Sequence, residues 1–152
     1  MLESTEKTLQ IIKKKISDLV ISRFPEVQEA YIFGSVVSGK NNALSDMDIA
    51  VFVQDYETIK KKYSYGLQAQ IISALMEIFQ TNRIDLVILN KASLLLYHRV
   101  ITLGERLYCN DVFAAQQREY TAIKKYLDFK PMMLKLHHIM NKRILNGKYA
   151  SL

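Results

Sequence analysis

The sequence predicts an α/β (α+β) protein in which a small mixed β-sheet carries packed helices and is followed by a helical C-terminal extension. Three short apolar segments have alternating side chains, which is typical of strands. Longer segments with an apolar residue every three or four positions indicate helices. The segments follow one another as helix, strand, strand, helix, strand and then helices, without a repeat or a Pro-rich linker.

Residues 1–53 contain one predicted helix and two predicted strands. The helix covers residues 5–22 and ends before Pro25, which cannot continue it. The three strands of the whole chain are EAYIFGS (29–35), DMDIAVFV (46–53) and RIDLVILN (83–90). The segment between the first two strands is rich in Gly, Asn and Ser, which predicts a loop.

The second half of the chain is mostly helical by the same criterion. The predicted helices cover residues 56–80, 91–103, 111–128 and, after an interruption at Pro131, on to Asn146. We expect Asp55 to cap the helix that follows it. The sequence YSYG at 63–66 predicts a break or kink inside that helix.

Length and composition indicate one ordinary globular domain. The chain has 152 residues, of which 49% are apolar and 24% charged, and this argues against disorder. We expect a core over residues 1–108 and a helical extension of the same domain over 109–152. The net charge of +6 is spread along the chain, so it selects neither nucleic acid nor an acidic protein as partner.

Several kinds of site and location are disfavoured. Cys109 is the only cysteine, so no internal disulfide is expected, and the N-terminal segment is too polar for a signal peptide. No apolar stretch approaches the roughly 20 residues that span a bilayer. We therefore expect a cytoplasmic protein. The three histidines lack the spacing of zinc ligands, and no basic and aromatic stripe for nucleic acid is present.

Two acids stand at the start of the second predicted strand. Because side chains alternate along a strand, Asp46 and Asp48 share one face while Met47 and Ile49 point into the core. Asp85 lies near the start of the third predicted strand, on the face opposite to Ile84 and Leu86. If the two strands are neighbours, the three carboxylates converge at one end of the sheet.

A divalent cation would relieve the repulsion among three such carboxylates. Oxygen ligands suit Mg²⁺, with Mn²⁺ as the alternative, and two ions roughly 4 Å apart form the two-metal arrangement used in phosphoryl transfer. Carboxylate pairs also act without metal in glycosidases and aspartic proteases. Those enzymes do not account for Gly34 and Ser35, whose backbone N–H groups and hydroxyl are suited to holding phosphate oxygens.

Taken together, these motifs resemble the signature of the DNA polymerase β-like nucleotidyltransferase superfamily. The signature is Gly-Ser, ten residues, Asp-x-Asp at the head of a strand, and an Asp in a later strand, and it lies within residues 31–53 and 83–89. In size and layout the chain is similar to the minimal MNT-type antitoxins that are encoded beside HEPN-domain toxins. The segment HRVITLGERLYCND and the long helix after it extend the similarity over most of the chain.

The resemblance implies a role for each motif residue. Asp46 and Asp48 would bind two Mg²⁺ ions, and Asp85 would bind one of them and take the proton of the acceptor hydroxyl. Gly34 and Ser35 would hold the triphosphate of ATP. The implied reaction is transfer of AMP to a tyrosine of a HEPN RNase toxin, which silences the toxin.

One departure concerns the loop after Gly-Ser. Many relatives have Ala-Arg-Gly where this chain has Val37, Ser38 and Gly39, so the usual cation is missing. We expect Lys40 to contribute to nucleotide binding in its place, with Arg83 and Lys91 as weaker candidates.

Two other functions stay open at this point. The chain could be an antitoxin that neutralises its partner by binding alone, through an apolar helical tail that also leaves oligomer formation open. The tail residues are Met132, Met133, Leu136, Ile139, Met140 and Leu145. The other function is nucleotide transfer to a small molecule, for which a chain of this length leaves little room.

Overall fold

A computed structural model describes residues 2–37 and 46–147, with side chains from residue 6 onward. Its helices are α1 (Leu2–Arg23), α2 (Tyr56–Ile59), α3 (Leu67–Phe79), α4 (Leu94–Leu103) and α5 (Val112–Leu145). Its strands are β1 (Val27–Phe33), β2 (Met47–Val53), β3 (Ile84–Ile88) and β4 (Glu105–Cys109). Short 3₁₀ turns follow α2 at Lys60–Lys62 and β3 at Leu89–Lys91. No helix in this part of the chain is long and apolar enough to cross a membrane.

The four strands form one mixed sheet in the order β3-β2-β1-β4. Strand β1 runs antiparallel to both β2 and β4, whereas β2 and β3 are parallel. A parallel pair needs a long crossover connection, and here α2 and α3 lie in it. The mixed sheet with packed helices that the sequence predicts is therefore confirmed.

Both faces of the sheet are covered by helices. On one face α1 and α3 pack on the larger apolar core, to which the strands contribute Ile32, Ile49 and Leu86. On the other face α4 packs on a smaller core that contains Tyr31 and Ala50, and α5 packs against α4. Because both faces are buried, polar side chains that point inward from the strands need partners or a function.

Strand β4 is a correction to the predicted element order, which had no strand after residue 90. It pairs with β1 at the sheet edge, where Glu29 lies opposite Cys109. Only Leu107 of its five residues is buried, while Glu105 and Arg106 are charged. An edge strand of this composition lacks the apolar alternation on which a sequence prediction depends.

Helix α5 is a second correction, because it runs unbroken through Pro131 where an interruption was predicted. Proline cannot donate to the carbonyl group four residues earlier, here that of Leu127. The side chain of Leu127 is 55% exposed, so this part of the helix borders water. Water can then hydrate the carbonyl that the helix leaves without a donor.

The segment after β2 shows one confirmed and one wrong prediction. The helical pattern over 56–80 breaks at 63–66 as expected, and Gly66 there has φ +84°. Asp55 precedes α2, but its side chain makes no capping hydrogen bond. Its backbone is left-handed, with φ 46°, whereas a capping side chain needs an extended residue.

Four charged side chains and one tyrosine join α5 to the sheet, and we call this group the buried ion network: Glu29, Tyr31, Arg106, Arg118 and Glu119. Glu29 is completely buried, and its Oε1 accepts a hydrogen bond from Nε of Arg118 at 2.6 Å. Arg106 pairs with Glu119. The Tyr31 hydroxyl lies 2.6 Å from a Glu29 oxygen and 2.9 Å from a Glu119 oxygen, and burial together with Glu29 raises the pKa of Tyr31.

Candidate active site

The three predicted acids lie at one end of the β2–β3 pair, and we call this end the acid edge: Asp46, Asp48 and Asp85. Asp48 and Asp85 are directly paired across the parallel strands. Asp46 immediately precedes β2 and is exposed. The alternation of side chains predicted this arrangement, because Met47 and Ile49 of the same strand face the larger core.

The charge of Asp48 is disfavoured where it lies. Its carboxylate is half-buried, and this burial is the largest cause that raises its pKa above the ordinary value. The negative charges of Asp85 and then of Asp46 raise the pKa further. The acid edge is therefore a place where a cation would be favoured.

Gly34 borders Asp48 so closely that any larger residue would have to displace the Asp48 carboxylate. It follows β1 with φ +77°, and Phe33 beside it pairs with Asp48 across the strands. A Cβ atom built on Gly34 would lie 2.1 Å from Oδ2 of Asp48. The glycine thus serves two needs, the left-handed backbone and the space beside the carboxylate.

Of the other predicted site residues, some lie near the acids, some lie far from them and some are outside the described residues. Ser35 follows Gly34 in the same turn and is half-buried. Lys40, Ser38 and Gly39 lie outside the described residues. Lys91 is at the far end of β3, with Nζ 4.8 Å from the centre of the Tyr56 ring, so it is remote from the acids.

A cleft of about 580 Å³ opens beside the acid edge. Its lining consists of Phe33, Gly34, Val37, Asp48, Leu96, Arg99 and Leu103. Arg99 comes from α4 and was not among the predicted site residues. No local spacing links it to the aspartates, because only the packing of α4 on the sheet brings them to one cleft.

The donor set at the acid edge suits a hard cation such as Mg²⁺. All its ligand atoms are carboxylate oxygens, and burial followed by the charges of Asp85 and Asp46 raises the pKa of Asp48, which a bound cation would offset. Within residues 2–37 and 46–147, however, no three His, Cys, Asp or Glu side chains are placed so that together they could hold a metal ion. The residues fit the cation in chemistry, and water and substrate phosphates commonly complete the shell of Mg²⁺.

A family model described as "Polymerase beta, Nucleotidyltransferase" matches residues 14–113. The match contains every strand of the sheet and all three acids. It also contains Gly34, Ser35 and the part of α4 that carries Arg99.

Two curated proteins, both called protein adenylyltransferase MntA, are similar to the chain. The protein from Shewanella oneidensis is 34% identical over 99 residues, which are 65% of this chain and 66% of the relative. The protein from Aphanizomenon flos-aquae is 32% identical over 103 residues, which are 62% of this chain and 65% of the relative. The chain therefore spans just under two thirds of these relatives.

Solved structures share the fold over a greater length. A crystal structure of a toxin–antitoxin with AMP-PNP contains a chain that is 25% identical, with a TM-score of 0.68 over 84% of this chain and 98% of that one. A structure of tri-AMPylated Shewanella oneidensis HEPN toxin with MNT antitoxin contains a chain that is 26% identical. Its TM-score is 0.55 over 90% of this chain and 98% of that one.

Proposed function

This chain belongs to the Polymerase beta, Nucleotidyltransferase family, and from that premise we propose that it is an antitoxin that transfers AMP from ATP to a partner toxin. The proposed acceptor is a tyrosine hydroxyl of a HEPN RNase toxin in the cytoplasm. The observation that carries the proposal is the pairing of Asp48 with Asp85 in a cleft bordered by Gly34. The names of the similar proteins support the choice of acceptor class.

The acid edge supplies the ligands in this proposal. Asp46 and Asp48 would hold two Mg²⁺ ions, and Asp85 would share one of them. When bound, the ions neutralise the phosphates and stabilise the attacking and leaving oxygens. The raised pKa of Asp48 supports this role, because a cation offsets both the burial and the repulsion by Asp85 and Asp46 that raise it.

Transfer would proceed by in-line attack of the acceptor oxygen on the α-phosphorus of ATP. Asp85, which is exposed at the start of β3, would accept the hydroxyl proton. The bond from the α-phosphorus to the bridging oxygen breaks, and pyrophosphate leaves with that oxygen. Gly34 and Ser35 would hold the phosphates through backbone N–H groups and the serine hydroxyl.

The shape of the cleft supports an aromatic acceptor. Phe33, Leu96 and Leu103 give it an apolar wall beside Asp48. A tyrosine ring could pack on this wall while its hydroxyl points to the carboxylates. A charged or sugar-like acceptor would gain little from these side chains.

The test is transfer of label from α-labelled ATP to the purified HEPN toxin in the presence of Mg²⁺. The double variant Asp46→Asn and Asp48→Asn should lose on the order of a hundredfold or more of the transfer rate, because it lacks the ligands for both ions. Asp128→Asn, an exposed position in α5, is the matched control and should transfer normally. Undiminished transfer by the double variant would refute the assigned mechanism.

Binding without catalysis is the second candidate, and one observation favours it. Helix α5 leaves an apolar series exposed: Leu127, Met132, Leu134, Leu136, Ile139, Met140, Ile144 and Leu145. Such a surface suits a protein partner or a second copy of the chain. If the double aspartate variant rescues cells from the toxin as well as the wild type does, occlusion is the mechanism. If it fails to rescue while still binding the toxin, catalysis is required.

A further inference from the structure

Arg99 is the one cation that lines the cleft among the described residues, and it faces the site without a protein partner. It forms neither an ion pair nor a hydrogen bond with another described residue. The arginines of the buried ion network, in contrast, are both paired with carboxylates. An arginine left in a cleft without a partner is available to an anionic ligand.

The backbone that carries Arg99 is firmly positioned against the sheet. The next residue of α4, Val100, is completely buried in the smaller core. Helix α4 ends at Gly104, where an added Cβ would lie 2.4 Å from the Val100 carbonyl oxygen, so the chain passes closely there. The residue that precedes Arg99, His98, stacks on Tyr126 of α5 with ring centroids 3.8 Å apart. Arg99 is itself exposed, and its side chain starts from this fixed backbone at the border of the cleft.

Arg99 does not neutralise Asp48, although both line the same cleft. Both residues lie in the described part of the chain, and neither an ion pair nor a hydrogen bond joins their side chains. The two side chains are therefore not in contact, and a ligand can lie between them in the cleft, with an anionic group on Arg99 and a cation between the ligand and Asp48.

We propose that Arg99 binds the β- and γ-phosphates of the incoming nucleoside triphosphate. This inference rests on the proposed nucleotidyl transfer and assigns the cation that the loop after Gly34 and Ser35 lacks at Ser38. The planar guanidinium can donate two parallel hydrogen bonds to phosphate oxygens. During transfer, negative charge grows on the β-phosphate as its bond to the α-phosphorus breaks, and Arg99 stabilises the departing pyrophosphate.

The experiment is calorimetric titration with the non-hydrolysable triphosphate α,β-methylene-ATP, and separately with AMP, both in Mg²⁺. Arg99→Met should bind the triphosphate about 10- to 100-fold more weakly and AMP nearly as well as the wild type, as expected for lost charge-assisted hydrogen bonds. Arg99→Lys should retain part of the affinity. Arg143→Met, an exposed position near the end of α5, should bind both ligands normally.

Each outcome separates this inference from the function on which it rests. Equal triphosphate affinity of Arg99→Met and wild type would overturn the role of Arg99 and leave the proposed function standing. Equal losses for triphosphate and AMP would also overturn it, because the contact would then be to the α-phosphate, sugar or base. A wild type that binds no triphosphate in Mg²⁺ would refute both. In transfer assays Arg99→Met should raise the KM for ATP and leave the KM for the acceptor unchanged.

Discussion

Two charged groups lie on the same face of the sheet, at opposite ends. The acid edge is at the start of β2, where Asp48 pairs with Phe33. The buried ion network is near the end of β2, where Glu29 pairs with Phe52. Paired residues of antiparallel strands point to the same side, so Asp48 and Glu29 face the same helical layer.

The two groups differ in how their charges are balanced. In the buried ion network, Glu29 is paired with Arg118 and Glu119 with Arg106, and the Arg118 guanidinium also lies 4.4 Å from the centre of the Phe52 ring. At the acid edge the charge of Asp48 is disfavoured, first by burial and then by the charges of Asp85 and Asp46. The first arrangement fastens α5 to the sheet. The second retains an unbalanced charge that a ligand can satisfy.

Arg118→Met should have the largest effect, because it removes the charged partner of Glu29 in the buried ion network. It leaves Glu29 completely buried without its charged partner, which typically costs about 3–5 kcal/mol. Urea unfolding followed by circular dichroism measures the change. The matched control is Arg143→Met on the same helix, which is exposed and should stay within about 0.5 kcal/mol of the wild type. A loss below about 1 kcal/mol for Arg118→Met would show that the network is not what fastens α5.

Gly34→Ala tests the other end of the sheet. Its Cβ would displace the Asp48 carboxylate, so transfer should fall by about a hundredfold, as for loss of a metal ligand. Gly66→Ala is an unusually close control, because Gly66 has a similar φ of +84° and nothing within 4 Å of its Cβ position. Both variants should lose about 1–2 kcal/mol of stability from the left-handed backbone. Equal transfer rates for the two alanine variants would mean that the space beside Asp48 is not required.

Tyr31→Phe removes one hydroxyl from the buried ion network and keeps the ring. Because that hydroxyl lies within hydrogen-bonding distance of Glu29 and Glu119, we expect a loss of about 1–3 kcal/mol in the free energy of unfolding. Tyr65→Phe, at a ring that is 86% exposed, should be neutral. An equally neutral Tyr31→Phe would indicate that the two arginines alone balance the network.

Asp48→Asn should have the smallest effect, and it should stabilise. Because the pKa of Asp48 is raised in the folded protein, its ionised form opposes folding once the pH exceeds the unfolded value of about 3.9. The penalty grows between the unfolded pKa and the raised pKa of the folded protein, is constant above the raised pKa, and is absent below the unfolded pKa. In EDTA at pH 7 the variant should therefore melt a few degrees higher than the wild type, and at pH 3 the gain should vanish.

Mg²⁺ and a distant carboxylate supply the controls for that measurement. Adding Mg²⁺ should raise the melting temperature of the wild type toward that of Asp48→Asn, because the ion relieves the same repulsion. Asp128→Asn should show neither effect, since this residue is exposed in α5. A lower melting temperature for Asp48→Asn in EDTA would contradict the electrostatic account of the acid edge.

The acid edge could be predicted because its information is local. Alternation along β2 fixed which side of the strand Asp48 occupies, and the apolar residues Ile49 and Val51 fixed which side is the core. The prediction required β2 and β3 to be neighbours, so that Asp85 would lie beside Asp48. The parallel pairing of the two strands fulfils this condition. The roles of these residues in catalysis stay predictions.

What the sequence could not predict depends on packing. Arg99 reaches the cleft only because α4 lies across the sheet, and nothing in the spacing of HRVITL marks it. Strand β4 was not predicted because Leu107 is the one buried residue in it, and a single buried position does not form an alternating apolar pattern. Helix α5 continues through Pro131 because solvent can reach the preceding turn. A sequence rule that ends a helix at proline does not take this solvent access into account.

The parallel pairing of β2 with β3 also determines when the site comes into existence during folding. Asp46 and Asp48 are neighbours along the chain, but Asp85 joins them only after the crossover of residues 54–83 has folded back on the sheet. Contacts across such a separation form late, because the loop must close before they are made. Cation affinity that needs all three acids would therefore report the completed sheet, and a newly made chain could not act on a partner before its own fold is finished.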